Sequence, residues 1–142
     1  QVGERGVRVE LLINNAGLLD NGYFDEIDLE RHQQLLSLNV TALTTLTHLF
    51  VRDMLARGSG KILNVASTAA WIGIPQQNVY SASKAYVLSF TLALHDELRA
   101  KRAGVSATAL CPSYTATKML DNPAQGKKLS IPAAMILDPT AV

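Results

Sequence analysis

The chain has few of the features that commit a protein to a special environment. Its single cysteine, Cys111, excludes an internal disulfide, so a reducing, cytoplasmic location is the expectation. A formal net charge of +1 supplies no field for nucleic acid or an anionic membrane. The expected partner is therefore a small molecule. No uninterrupted apolar run approaches the roughly 18 residues of a membrane helix, which speaks against a membrane partner. The opening residues, Q-V-G-E-R-G-V-R, carry no address signal. His32, His48 and His95 are dispersed without metal-ligand spacing, so surface or packing roles are expected for them and no metal site. None of the nine glycines forms a G-x-x-x-G-x-G or G-x-G-x-x-G phosphate turn.

What is present is a chain of 142 residues, 48% of them hydrophobic, enough for one domain with a buried core. Val9–Ile13 is a short apolar run that stops at a turn-rich N-N-A-G, as a buried strand does. Asp28 and Glu30 signal a helix start. Leu35, Leu38, Ala42, Leu46 and Leu49 then recur at spacings of three and four, which predicts one apolar stripe on a long helix ending near Gly58. The next strand is predicted at Lys61–Ala66 and the next helix at Val79–Arg102, stopped by Gly104. A third strand, Val105–Cys111, is cut off by Pro112.

Continuous apolar strands alternating with helices describe an α/β fold, a doubly wound parallel sheet. Ligands bind such sheets beyond the carboxyl ends of the strands. Residues 14–17, 66–68 and 112–117 are therefore the segments to inspect. Asp138 and Pro139 announce a helix N-terminus with only three residues left to build it. A three-stranded parallel sheet with a bare apolar edge is also a poor independent domain. The expectation is an internal piece of a longer chain, residues 1–142 being part of one domain.

Within N-V-Y-S-A-S-K, Tyr80 and Lys84 stand four residues apart, which puts them on one helix face. An ammonium about 4 Å from a phenol, at an effective dielectric near 20, favours the phenolate by at most about 4 kcal/mol, or about three pKa units. Such a pair suits oxidation of an alcohol or reduction of a carbonyl. Alone it is a common coincidence, usually a solvated helix face. The small residues around it, Ser81, Ala82, Ser83, Ala85, Ser89 and Ala93, read as close packing that frames the pair without taking part.

N-N-A-G at 14–17, Asn39 in L-N-V, N-V-A-S at 64–67, Y-S-A-S-K at 80–84 and C-P-S-Y-T-A-T at 111–117 together resemble the ordered motifs of short-chain dehydrogenases/reductases. The resemblance covers residues 9–142, and the thirteen positions from Ser67 to Tyr80 make it specific. It implies a Rossmann-type sheet and hydride transfer with NAD(H) or NADP(H), with NADP slightly favoured although the residues do not read out the choice.

Position by position, the resemblance implies that Tyr80 is the acid/base. Lys84 lowers its pKa and binds the nicotinamide ribose, and Ser67 hydrogen-bonds the substrate oxygen. Asn39 holds a water linking the lysine to solvent. Asn15, Ala16 and Gly17 match sheet-stabilising and adenosine-side contacts. Pro112, Ser113, Thr115 and Thr117 fall in the cofactor-binding segment, Thr117 at the residue that grips the nicotinamide carboxamide. The chain departs from the family at Ser113, where a glycine is usual, and in lacking the glycine-rich turn. Trp71, Ile72, Ile74 and Pro75 are read as an apolar substrate wall, with simple packing as an even alternative. Cys111 reads as a buried strand cysteine. A homo-oligomer paired through the two long helices is what the family implies. The alternative function is a non-catalytic fragment or partner-binding remnant of such an enzyme.

Overall fold

Three short apolar segments form one parallel sheet in the computed structural model, which describes residues 7–116 and 131–141. β1 (Leu11–Asn14), β2 (Gly60–Val65) and β3 (Val105–Leu110) lie side by side in chain order. The register aligns Asn14 with Asn64 and Val65 with Leu110, so all three carboxyl ends reach one edge. Parallel neighbours need long crossovers, and helices supply them. α1 (Leu29–Leu36), a π turn (Ser37–Ala42) and α2 (Leu43–Arg57) run continuously between β1 and β2, while α3 (Asn78–Ala100) joins β2 to β3.

Successive crossovers that move in one direction with one hand lie on one side of a sheet. Thr47 of α2 and Thr91 of α3 accordingly both bond to the same sheet face. Leu11, Ile13, Lys61, Ser106 and Thr108, on the opposite face, are exposed. Among the described residues, then, the winding covers one face of the sheet only.

Two apolar clusters fill the covered side. Met54, Ile62, Leu98, Val105 and Ala107 form the lower one, toward the amino ends of the strands. Leu43, Ala66, Val87 and Leu88 form the upper one, beside the site. Between them lies a polar layer, reached at the same height from each element. Asn14 donates to Thr47 Oγ1 at 3.0 Å and to Asn64 Oδ1 at 2.8 Å. Asn64 donates to Thr91 Oγ1 at 2.9 Å, and Thr91 donates onward to the Val87 carbonyl at 2.6 Å. Every side chain in this layer is buried, Asn64 at 0% exposure. Burying amides without partners costs far more than the net gain of each bond, so the pairing is obligatory.

The helix stops fall where the sequence places them. α2 ends at Gly58 with φ 72°, and the chain leaves the α3 end through Gly104 with φ 64°. A Cβ on Gly104 would lie 2.1 Å from the Gly58 carbonyl oxygen, so the two turns stack backbone on backbone. Asp138 Oδ1 accepts from the Thr140 amide at 2.8 Å, and the announced helix is a single 3-10 turn, Pro139–Ala141.

One expectation is corrected. Leu46 and Leu49 are 41% and 55% exposed, and the buried face runs instead through Leu35, Asn39, Leu43, Thr47 and Met54. The π turn is the reason. It adds a residue to the winding, so the stripe read from α-helical spacing does not continue through it. Leu29–Arg57 as a whole is also long and apolar enough to cross a membrane, with an 18-residue window of mean hydropathy 1.2. Its Leu43, Thr47 and Met54 nevertheless pack on the sheet.

Asn64→Ala removes an acceptor from Asn14 and a donor from Thr91. Denaturant unfolding of the variant should show stability lower by about 1–3 kcal/mol, the usual cost of leaving buried polar groups unpaired.

Candidate active site

Each strand delivers one part of the site at its carboxyl end. Past β2, Ser67 has extended backbone (φ −172°), and its Oγ accepts the Ala69 amide at 3.1 Å, capping the 3-10 turn Thr68–Ala70. The turn is pinned to the segment after β3, because the Thr68 amide donates to the Pro112 carbonyl at 3.0 Å. Ser67 therefore satisfies its own turn, and its hydroxyl also acts on Tyr80, drawing the phenol's pKa down. Tyr80 and Lys84 lie in the first two turns of α3, on the face turned to the sheet edge. Lys84 Nζ sits 5.7 Å from the Tyr80 ring centroid and donates to the Val65 carbonyl at 2.8 Å.

Behind them stand Gly17, Asn39 and Ser83. A Cβ placed on Gly17 would lie 3.4 Å from Asn39 Oδ1 and 3.6 Å from Lys84 Nζ, so the backbone after β1 comes up close against both side chains. Asn39 projects from the π turn. Its Oδ1 accepts the Leu18 amide at 2.8 Å, while its Nδ2 donates to the Leu18 carbonyl at 3.0 Å and to Ser83 Oγ at 3.1 Å. Ser83 in turn donates to the Tyr80 carbonyl at 2.7 Å. It is thus tied to the pair that the sequence reading had it merely frame.

These groups face a pocket of about 700 Å³. Ser67, Tyr80, Lys84, Asn15, Gly17, Pro112, Ser113 and Thr115 all line it. Ala16 and Asn39 are not in its wall. Thr117 lies outside the described residues, as do residues 120–130. Leu19, Gln77 and Tyr114 line the pocket without having been singled out in the sequence. Gln77 is buried just before α3, and its Nε2 donates to Asn21 Oδ1 at 3.3 Å. A polar residue three places ahead of Tyr80, on the same helix face, is a signal that helical spacing offers.

The expected apolar wall is mostly elsewhere. Trp71 and Ile72, each 67% exposed, line a separate hollow of about 430 Å³ with Pro75, Ala82 and Ala85, and of the four expected wall residues only Ile74 also lines the larger pocket. The reason is the 3-10 turn, which carries the chain away from the strand edge right after Ser67. Cys111 lies one residue past β3 and is partly buried against the upper cluster, not fully buried within a strand as expected. His32 is buried and stacks on Phe24 at 4.9 Å, and His95 bonds the Ala107 carbonyl at 2.9 Å, so both have packing roles.

Residues 1–128 match the family model described as short chain dehydrogenase. A ketoacyl reductase of a Nostoc species is 41% identical over 106 residues, which cover 75% of this chain and 36% of that protein. A 3-oxoacyl-(acyl-carrier-protein) reductase of a Synechocystis species is 36% identical over 115 residues, covering 81% of this chain and 46% of that one. Among solved structures, a short-chain dehydrogenase from Sphingobium yanoikuyae in complex with NADPH superposes with a TM-score of 0.80 at 29% identity. That likeness covers 92% of this chain and 49% of the other. The chain spans less than half the length of each of these proteins.

Burial governs the charges here. It pushes the Tyr80 phenol above its usual value, with the Ser67 hydroxyl pulling the other way and Tyr114 adding to the rise. The lowered phenol expected from the Tyr80–Lys84 spacing is thus reversed, because desolvation of the phenolate outweighs the pull of the Ser67 hydroxyl. Burial also brings Lys84 down from 10.5 to about 8, opposed by Cys111. Lys84 remains mostly protonated at neutral pH and close to titrating.

That shift has a signed consequence for stability. Between pH 8 and 10.5 the unfolded chain holds the Lys84 proton and the folded chain releases it, so folding gains as pH rises through this window. Below about pH 8 the full cost of burying the ammonium remains. Unfolding measured from pH 7 to 10 should show the native protein gaining on Lys84→Met by at most about 1.4 kcal/mol per pH unit above pH 8. Parallel curves for the two proteins would contradict the depressed Lys84 value.

Proposed function

Because the chain belongs to the short-chain dehydrogenase family, we propose that its site transfers a hydride between a nicotinamide cofactor and the carbonyl or alcohol carbon of a small substrate. The observation that carries the reading is the convergence of Ser67, Tyr80 and Lys84 on one pocket wall at the carboxyl edge of a parallel sheet. NADP is the proposed cofactor, in keeping with the NADPH held by the solved relative.

The residues present fit such a group. Gly17 leaves bare backbone beside the lysine, where any side chain would enter the space in front of Asn39 and Lys84. An ammonium has three N–H groups, and the Val65 carbonyl takes one of them. Lys84 would hold the ribose hydroxyls, and Asn15, Gly17 and Thr115 would line the rest. The bound cofactor supplies or accepts the hydride.

The chain's own residues handle the proton. Ser67 Oγ orients the substrate oxygen without adding charge. Tyr80, kept protonated by burial, gives its proton to that oxygen as negative charge grows there and recovers it in the reverse direction. Lys84, largely cationic at neutral pH, stabilises the phenolate left behind. A site that favours the neutral phenol is poised for carbonyl reduction. Leu19, Ile74 and Leu110 give the pocket an apolar side. Together with the ketoacyl and 3-oxoacyl reductase relatives, this supports a 3-oxoacyl substrate.

The test is reduction of a 3-oxoacyl thioester by the whole protein with NADPH. Tyr80→Phe should lower kcat by about a hundredfold or more while NADPH binding, followed by fluorescence, is kept. Full turnover in that variant would remove the proposed role.

A further inference from the structure

We infer that Ser83 is a positioning residue for Tyr80, coupled through Asn39 to the backbone that follows Gly17. The inference rests on the proposed role of Tyr80 as proton donor. Ser83 is 1% exposed, so its hydroxyl answers only to the protein. The Leu18 peptide groups determine which end of the Asn39 amide is which, since its oxygen meets an N–H and its nitrogen a C=O. One amide hydrogen remains, and it points to Ser83 Oγ. Ser83 then has its own proton for the Tyr80 carbonyl. The result is a one-way relay: Leu18 backbone, Asn39 amide, Ser83 hydroxyl, Tyr80 carbonyl.

A serine bonded to a carbonyl in the preceding turn is neutral to slightly unfavourable in a helix and tends to bend it. In α3 that bond sits between the two residues whose placement the chemistry needs, and the π turn brings the asparagine to it. The relay fixes how the first turns of α3 stand against the backbone at Gly17 and so where the phenol meets Ser67. A displacement of about 1 Å in such a group can cost about a hundredfold in rate. Ser83 does not itself line the pocket, whereas Tyr80, whose carbonyl it holds, does, so its effect passes through Tyr80.

The experiment is steady-state kinetics of the whole enzyme with NADPH and a 3-oxoacyl thioester, for Ser83→Ala, Ser83→Cys, Asn39→Ala and the Ser83→Ala/Asn39→Ala double variant. Expected for Ser83→Ala is a kcat lowered about tenfold to a hundredfold, a KM for NADPH within about twofold of the native value and a displaced pH profile of kcat. Ser83→Cys, which keeps a weak donor of similar size, should retain more activity. The double variant should lose no more than Asn39→Ala alone, because one relay cannot be broken twice. Native kcat and pH profile in Ser83→Ala, equal losses for alanine and cysteine, or losses that multiply in the double variant would each overturn the inference. Should Ser83→Ala not fold, the cysteine variant carries the same comparison against the native enzyme. An active Tyr80→Phe would instead overturn the underlying reading, so the two failures are distinguishable.

Discussion

The hydrogen bond between Asn14 and Asn64 is the constraint on which the rest of the structure leans. Two amides in the middle of an apolar face are tolerable only if they meet, and they meet only when β1 and β2 pair in one register. A slip of one residue would turn each to the other face of the sheet. With register set, Thr47 and Thr91 dock α2 and α3 at the same height, and the strand ends fall level. Greasy residues alone, above and below this layer, would accept several sliding arrangements. The polar layer accepts one.

That levelling is what assembles the site. The carboxyl ends of β1, β2 and β3 present Gly17, Ser67 and Pro112 to a common pocket, and α3 adds Tyr80 and Lys84 from behind. Lys84 is held by the Val65 carbonyl, at the end of the same strand whose Asn64 anchors the core. Burial sets the proton affinities in opposite senses. The phenol keeps its proton more firmly and the ammonium holds its own more loosely, which inverts the order that the Tyr80–Lys84 spacing alone would suggest.

Strands and helix stops were legible in the sequence because they are local. Val9–Ile13, Lys61–Ala66 and Val105–Cys111 are apolar runs closed by turn residues, and the structure moves their ends by only a residue or two. Tyr80 and Lys84 were legible from helical spacing, whereas Ser67 needed the family pattern, since thirteen residues and a turn separate it from Tyr80. What escaped depends on distant partners. Asn14 finds Asn64 fifty residues away and Asn39 finds Leu18 twenty-one away, so neither the polar layer nor the π turn leaves a periodic trace. The rise in the phenol's pKa escaped because burial is a property of the whole pocket and the sequence displays only the lysine.

The π turn gives one helix two independent phases. Its first part buries Leu35 and turns Asn39 to the backbone at Leu18, and its second presents Leu43, Thr47 and Met54 to the sheet. Each face can vary in composition without dragging the other around the axis. The wider winding absorbs one extra residue. If residues 37–42 rewound as ordinary α-helix at their present length, everything beyond them would turn by about 100°. The sheet-facing threonine would then swing away from Asn14. Deleting one residue as the segment rewound would instead leave the later face where it is, so the extra residue is available to the site, where the turn brings Asn39 to Leu18 and Ser83.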